Sequence, residues 1–327
     1  MLPDSVLIFD AYNTFCRSFC AYPAMSIHGE SAGGVVGFIK SMRRIIEQLK
    51  PKKVFVIWEG GGSSKRRSLY SEYKQHRAPG KLNRFYEDDI PDTDVNKLEQ
   101  VKHLVKLLKS LPIKQVYVSD VEADDVIAYM CKRTLADVNK IIVSTDRDMY
   151  QLLDDRTVVY NLNKKSFVTP ASVVSEFSIP PRNFALAKTL CGDVSDNIKG
   201  IGGVGFKTAA KKFPLLIQND KDVLLQEIID YSATRQDEAK IYKTVVEKQE
   251  LLRKNWRLIY LDGSMIPHTG VMLLENVLKN EKTVIDKIEF IRSATECGII
   301  NHFDVDALLY SLRGLHVITS TQNEEKK

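Results

Sequence analysis

A chain of 327 residues, 44% hydrophobic and 27% charged, has ordinary globular composition and room for one large domain or two modest ones around a sizeable core. Its formal charge of +5 and pI near 8.7 lean toward polyanionic partners without establishing them, so the distribution of charge matters more than its size. Five cysteines (Cys16, Cys20, Cys131, Cys191, Cys297) without a CxxC pair exclude a disulfide framework and a metal finger, and no run nears the roughly 18 apolar residues of a membrane span; the reading is a reduced, cytoplasmic protein.

In chain order, apolar β-branched runs alternate with helix-period segments, the pattern of a parallel sheet with crossover helices. VLIF (6–9), VFVIW (54–58), QVYVS (115–119) and IIVST (141–145) read as strands. Segments 34–50 and 95–110, and the segment opening at VEADD (121–125), read as helices. An acid follows every strand: Asp10, Glu59, Asp120 with Glu122, and Asp146. Ligands of open α/β sheets bind outside the carboxyl ends of the strands, so these acids are expected at one edge.

Glu122, Asp124 and Asp125 crowd four residues. Carboxylates this close must share protons, pair with bases or hold cations. Arg147 is the one base expected among the strand-end acids, so cations are the favoured answer. Glu122 and Asp125 are i, i+3 neighbours on one helix face, with Asp124 pointing elsewhere or swung in by a frayed first turn. Asp146 and Asp148 recur at i, i+2, and Asp193 and Asp196 at i, i+3. All are oxygen donors with no Cys or His interleaved, which suits Mg²⁺ or Mn²⁺ and argues against zinc. Any one of these acids alone could be a helix cap; their shared placement carries the inference.

Between Ser63 and Arg84, Lys65, Arg66, Arg67, Lys74, Arg77, Lys81 and Arg84 face one acid, Glu72, with Tyr70, Tyr73, Phe85 and Tyr86 interleaved or following. Such a segment suits single-stranded or frayed nucleic acid, against the plainer reading of a solvated basic loop. From Pro170 the chain reads as mainly helical, with a short strand expected at RLIYLD (257–262). GIGGVG, with Gly200, Gly202, Gly203 and Gly205, matches a dinucleotide fingerprint formally, but no strand precedes it. It reads instead as a glycine turn between helices, its N–H groups and Lys207, Lys211 and Lys212 available to a phosphate.

These stretches together carry a resemblance. LIFDAYNTFCRSF, YKQHR, VEADDVIAYM, STDRDMYQLL and GDVSDNIKGIGGVGFKTA, in this order over roughly 7–213, resemble the 5′ nuclease family of flap endonucleases and 5′→3′ exonucleases, most closely its stand-alone bacteriophage members, including the primer-removing ribonuclease H type. The resemblance implies an α/β fold: a mainly parallel sheet flanked by helices (1–169), a basic helical arch at about 60–92, and a helical DNA-binding part (170–320) with a helix-hairpin-helix at about 186–213; 321–327 reads as a disordered tail. It implies a structure-specific nuclease acting on flaps and on RNA- or DNA-primed duplexes with two Mg²⁺, replaceable by Mn²⁺, and K⁺ at the hairpin. By position, Asp10, Glu122, Asp124, Asp125, Asp146, Asp148, Asp193 and Asp196 fall on metal-site acids, and Lys74 and Arg77 on residues that meet the scissile phosphate. Glu59 stands where the family usually has aspartate. The expected division gives one ion to Asp10, Glu59, Glu122, Asp124 and Asp125, and the other to Asp146, Asp148, Asp193 and Asp196. A monomer is expected, with a single-strand-binding protein as partner by family analogy. Two other readings are weighed: a catalytically silent DNA-binding protein, and a haloacid-dehalogenase-like phosphatase, whose second aspartate is here Tyr12.

Overall fold

The structure is a computed structural model describing residues 2, 4–75, 93–279 and 285–315. Its first half runs β1 (Val6–Asp10), α1 (Ala11–Ala21), α2 (Gly33–Leu49), β2 (Lys53–Trp58), α3 (Ser64–Leu69), α4 (Thr93–Lys109), β3 (Lys114–Tyr117), α5 (Ala123–Tyr129), β4 (Lys140–Val143), β5 (Thr157–Asn161) and β6 (Ser166–Val168). The six strands form one sheet in the order β3-β2-β1-β4-β5-β6, parallel except for the last pair. The apolar runs are continuous because both faces are covered. Leu7, Phe9, Val54, Val56, Ile141 and Val143 face one core, with α1, α2 and α4. Val6, Ile8, Phe55, Ile57 and Ile142 face the other, with α5. β1 lies between β2 and β4, so its last residue, Asp10, sits mid-sheet at the carboxyl edge.

The chain continues through α6 (Pro170–Phe177), α7 (Pro181–Cys191), a hairpin of β7 (Gly192–Asp193) and β8 (Ile198–Lys199), then α8 (Phe206–Lys212), α9 (Leu225–Ala233), α10 (Lys240–Glu247), α11 (Gln249–Ile259), α12 (His268–Lys279), α13 (Lys287–Glu296) and α14 (Val305–Ser311). A separate apolar core gathers residues from Ile179 to Leu252. Beyond it the chain returns to the sheet: Leu261, Ile266 and Leu274 join one face, and Phe290, Ala294, Leu308 and Leu312 the other. The helical part expected over 170–320 is thus shared among three cores.

The strand expected at 257–262 is instead the end of α11. Leu252, Asn255, Leu258 and Ile259 are buried at helical spacing, so the apolar cluster is the last turn of an amphipathic helix. The tail 321–327 and the arch residues Arg77, Lys81, Arg84, Phe85 and Tyr86 lie outside the described residues.

Candidate metal centre and nucleic-acid interface

A pocket of about 290 Å³ opens at the carboxyl edge of β1 and β2, with Asp10, Glu59, Glu122, Asp124 and Asp146 in its wall. Asp10 accepts hydrogen bonds from Ser144 Oγ at 2.9 Å and the Asn13 N–H at 3.3 Å. Burial, reinforced by Asp146 and Glu59, pushes its carboxyl up to about 7. Asp124 is raised well above the carboxylate range by burial first, then by Asp146 and Asp10. Asp146 caps the short helical turn Arg147–Leu152, accepting the Asp148 N–H at 2.8 Å. Among the described residues, none of the ion pairs involves Asp10, Asp124 or Asp146. Glu59 reaches back to α5, where its Oε2 accepts the Ala123 N–H at 3.2 Å. Carboxylates gathered in one pocket, two of them with raised proton affinity, and with Lys74 and Arg67 in the same wall, suit a hard divalent cation.

Glu122 and Asp125 take a different course. The buried Arg66 guanidinium grips Asp125 with both terminal nitrogens, Nη2 at 2.9 Å from Oδ1, and its Nη1 lies 3.1 Å from Glu122 Oε2. Its Nε donates to the Leu258 carbonyl at 3.0 Å. Lys74 Nζ lies 2.8 Å from Glu122 Oε1, and the Tyr73 hydroxyl donates to Oε2 at 3.1 Å. Burial alone would raise Glu122, but Lys74 and Arg66 hold it below its usual range. This corrects three expectations. Arg147 is not the only base among the acids, since Arg66 and Lys74 reach them. Arg66, 1% exposed, presents no guanidinium to nucleic acid, and the buried Tyr73 ring is packed with Ala185, Ile198, Leu258 and Ile259 rather than free to stack. Of the two orientations left open for Asp124, it takes the one swung in toward Asp10 and Asp146, while Glu122 and Asp125 pair with Arg66. Glu122 is an extended N-cap residue, φ −73° and ψ 147°, and still shares a side with Asp125, since Arg66 Nη1 reaches both.

The second group lies where α7 and the β7–β8 hairpin approach Asp148. Carboxylate oxygens of Asp148, Asp193 and Asp196 lie within 4.8 Å of one another. Lys188 of α7, missed in the sequence, bridges them, 2.6 Å from Asp193 Oδ2 and in contact with Asp148. Burial pushes Asp148 up to about 6 even though Lys188 pulls it down. Burial would raise Asp193 as well, but Lys188 and Ser195 hold it low. Asp196 Oδ2 lies 3.3 Å from the Tyr73 hydroxyl and shares its one proton with Glu122. The signal for Lys188 was its setting, AKTLC: a lysine flanked by buried apolar residues needs a partner. Asp146 lines both this group's pocket and the first one, so it stands between the two clusters rather than with the second alone.

Of the basic segment, Lys65 donates to the Ser264 and Met265 carbonyls at 3.4 and 2.9 Å, and Arg67, half-exposed, lines the acid pocket 3.7 Å from Asp120. The glycine turn connects α7 to α8 through the hairpin and borders a groove of about 750 Å³ that includes Lys199 and Lys248. Gly200 is required by packing, since a Cβ there would sit 2.2 Å from the Cys191 carbonyl carbon. Gly203 has φ +78°, and Gly202, Gly203 and Gly205 face open space; Lys207 is exposed beside them.

Residues 5–178 match the family model described as 5′–3′ exonuclease, N-terminal resolvase-like domain. The chain is 31% identical over 218 residues to a 5′–3′ exonuclease of Buchnera aphidicola, covering 64% of this chain and 70% of that one. It is 32% identical over 208 residues to the thermostable DNA polymerase I of Thermus thermophilus, covering 63% of this chain but only 23% of the polymerase. Among solved structures, a bacteriophage T5 flap endonuclease in a pseudo-enzyme-product complex with DNA and metal ions superposes with a TM-score of 0.67 at 19% identity, over 89% of this chain and 99% of that one. The catalytic core of Rad2 with a DNA substrate superposes with a TM-score of 0.53 at 16% identity, over 95% and 92%. These structural likenesses concern the fold.

Proposed function

The chain belongs to the 5′–3′ exonuclease family, and on that premise we propose that it is a metal-dependent, structure-specific nuclease hydrolysing phosphodiester bonds near 5′ ends, in DNA flaps and in RNA- or DNA-primed duplexes. The observation that carries this reading is the gathering of Asp10, Asp124 and Asp146 in one pocket, two of them with strongly raised proton affinity. Divalent cations, Mg²⁺ by preference with Mn²⁺ able to substitute, supply an activated water and neutralise charge on the attacking and leaving oxygens. Asp10, Asp124 and Asp146 would hold one ion, with Glu59 braced on α5 beside them. Asp148, Asp193 and Asp196 would hold the other, more weakly, because Lys188 already supplies a positive charge there. No membrane-crossing helix is found among the described residues.

Lys74 is 21% exposed and keeps donors free beyond its bond to Glu122, so it offers charge-assisted hydrogen bonds to a phosphate at the pocket mouth. Arg67 adds positive charge at the rim, and Arg77 is assigned the same work by its place in YKQHR. Gly200 to Gly205 with Lys199 and Lys207 form a surface for duplex backbone, with K⁺ at the hairpin as part of the proposal. The protein would act as a monomer, with a single-strand-binding protein on its C-terminal helices as partner.

The test is cleavage of a 5′-labelled flap and an RNA-primed duplex in Mg²⁺, with EDTA and Asp146→Asn as controls. Short products that need the metal and vanish in the variant are expected. Tight flap binding without cleavage would favour a silent binding protein.

A further inference from the structure

The loop that carries Lys74 is stitched to the hairpin that carries Asp193 and Asp196. Lys74 has φ +59°, a left-handed conformation that lysine rarely adopts, so its surroundings must hold it there. Three contacts do so. The Lys74 N–H donates to the Asp196 carbonyl at 3.1 Å. The Tyr73 hydroxyl reaches the Asp196 carboxylate at 3.3 Å. Asn197 Nδ2 donates to the Glu72 carbonyl at 3.0 Å. Asn197 itself has φ +59°, which asparagine tolerates, and closes the turn by donating its N–H to the Val194 carbonyl at 3.2 Å. The same short turn therefore orients metal-cluster acids on one side and clamps the Lys74 loop on the other.

We infer that Asn197 is a positioning residue: by clasping the Glu72 carbonyl it sets the Lys74 ammonium against the acid pocket. The inference rests on the nuclease reading for its catalytic consequence, while the clasp itself is a property of the fold. Its side chain touches neither the acids nor a phosphate in this role. Its effect runs through the register of one loop, and small errors in the placement of a catalytic cation cost much of its benefit.

Asn197→Gly removes the amide while keeping a residue at ease with positive φ. Asn197→Asp keeps the shape, removes the donor and sets a carboxylate against the Glu72 carbonyl and carboxylate, so it opens the clasp more forcibly. Both are expected to lower kcat on a 5′ flap by roughly tenfold to a hundredfold. Because Asn197 works through Lys74, the double variant Asn197→Gly with Lys74→Ala should be no slower than Lys74→Ala alone. Full kcat in both single variants, or losses that multiply in the double, would overturn the inference, as would a loss of affinity without a loss of kcat. Amide hydrogen exchange is read beside these rates: protection at Lys74 should fall in Asn197→Gly while α7 keeps its own. Unchanged protection at Lys74 overturns the clasp whether or not the wild type cuts DNA. Absence of wild-type cleavage with the exchange result intact would strike the nuclease reading alone.

Discussion

Asp124 and Asp125 are adjacent in sequence and meet opposite fates. Asp125 is locked by both arms of Arg66, and its neighbour Glu122 is held by Arg66, Lys74 and Tyr73. Asp124 faces Asp10 and Asp146, where acids meet acids. One group of carboxylates is neutralised by the chain, and the other is left to be neutralised by something the chain does not encode. An acidic cluster read as one ligand set is therefore two devices: an internal ion pair that fixes α3, α5 and the end of α11 together, and a pocket whose unmet charge recruits cations. Asp148 and Asp193 fall between these extremes, since Lys188 satisfies part of their demand.

The contrast can be broken most severely at Arg66. Arg66→Ala would leave Glu122 and Asp125 buried without their base, at a cost of about 3–5 kcal/mol. Chemical denaturation should show this loss; unchanged stability would mean that the guanidinium is a surface contact after all. At the other pole, Asp146→Asn should leave stability nearly unchanged, or raise it in EDTA, and lower flap cleavage by roughly a hundredfold to a thousandfold in single-turnover measurements. Lys188→Met would make the intermediate cluster resemble the deep one. Its divalent affinity, read by calorimetry, should rise on the order of tenfold; a fall would show that the lysine organises the cluster instead of competing for it.

The smallest effect is the response to pH. Asp10 is raised from 3.8 to about 7 in the folded, cation-free protein. A raised value means that its contribution to stability is fully present below about 3.8 and is lost as pH rises through about 7. In EDTA the melting temperature should therefore fall by a few degrees between pH 5 and pH 8, with Mg²⁺ reversing the fall and Asp10→Asn reducing it, since Asp124 and Asp148 are raised as well. A melting temperature rising over that interval would contradict the burial assigned to Asp10. Glu122, held below its usual range, loses its contribution only on the acid side and does not mask the trend.

The sheet and the acid edge were legible because both rest on local pattern: apolar runs ending in Asp10, Glu59 and Asp146 declare parallel strands and their carboxyl ends. The partners were not legible. Arg66 meets Asp125 across 59 positions and Lys188 meets Asp148 across 40, distances that no local spacing encodes. The helix-face argument put Glu122 and Asp125 on one side, as Arg66 Nη1 reaching both shows, but could not name the base they meet there. RLIYLD was misread because β-branched and aromatic residues at a buried helix end imitate a strand. Strands β5 and β6 escaped notice because β6 is only three residues long and the turn between them, with Lys165 at φ +50°, lacks a glycine signal.

The division of labour among the acids is tested most directly by titrating Mn²⁺ into Asp124→Asn and Asp125→Asn side by side, after confirming that both remain folded. Loss of the tighter site in Asp124→Asn, with that site retained in Asp125→Asn, is the expected result. Retention in Asp124→Asn with loss in Asp125→Asn would contradict it, and would return the Glu122 and Asp125 pair to the metal centre.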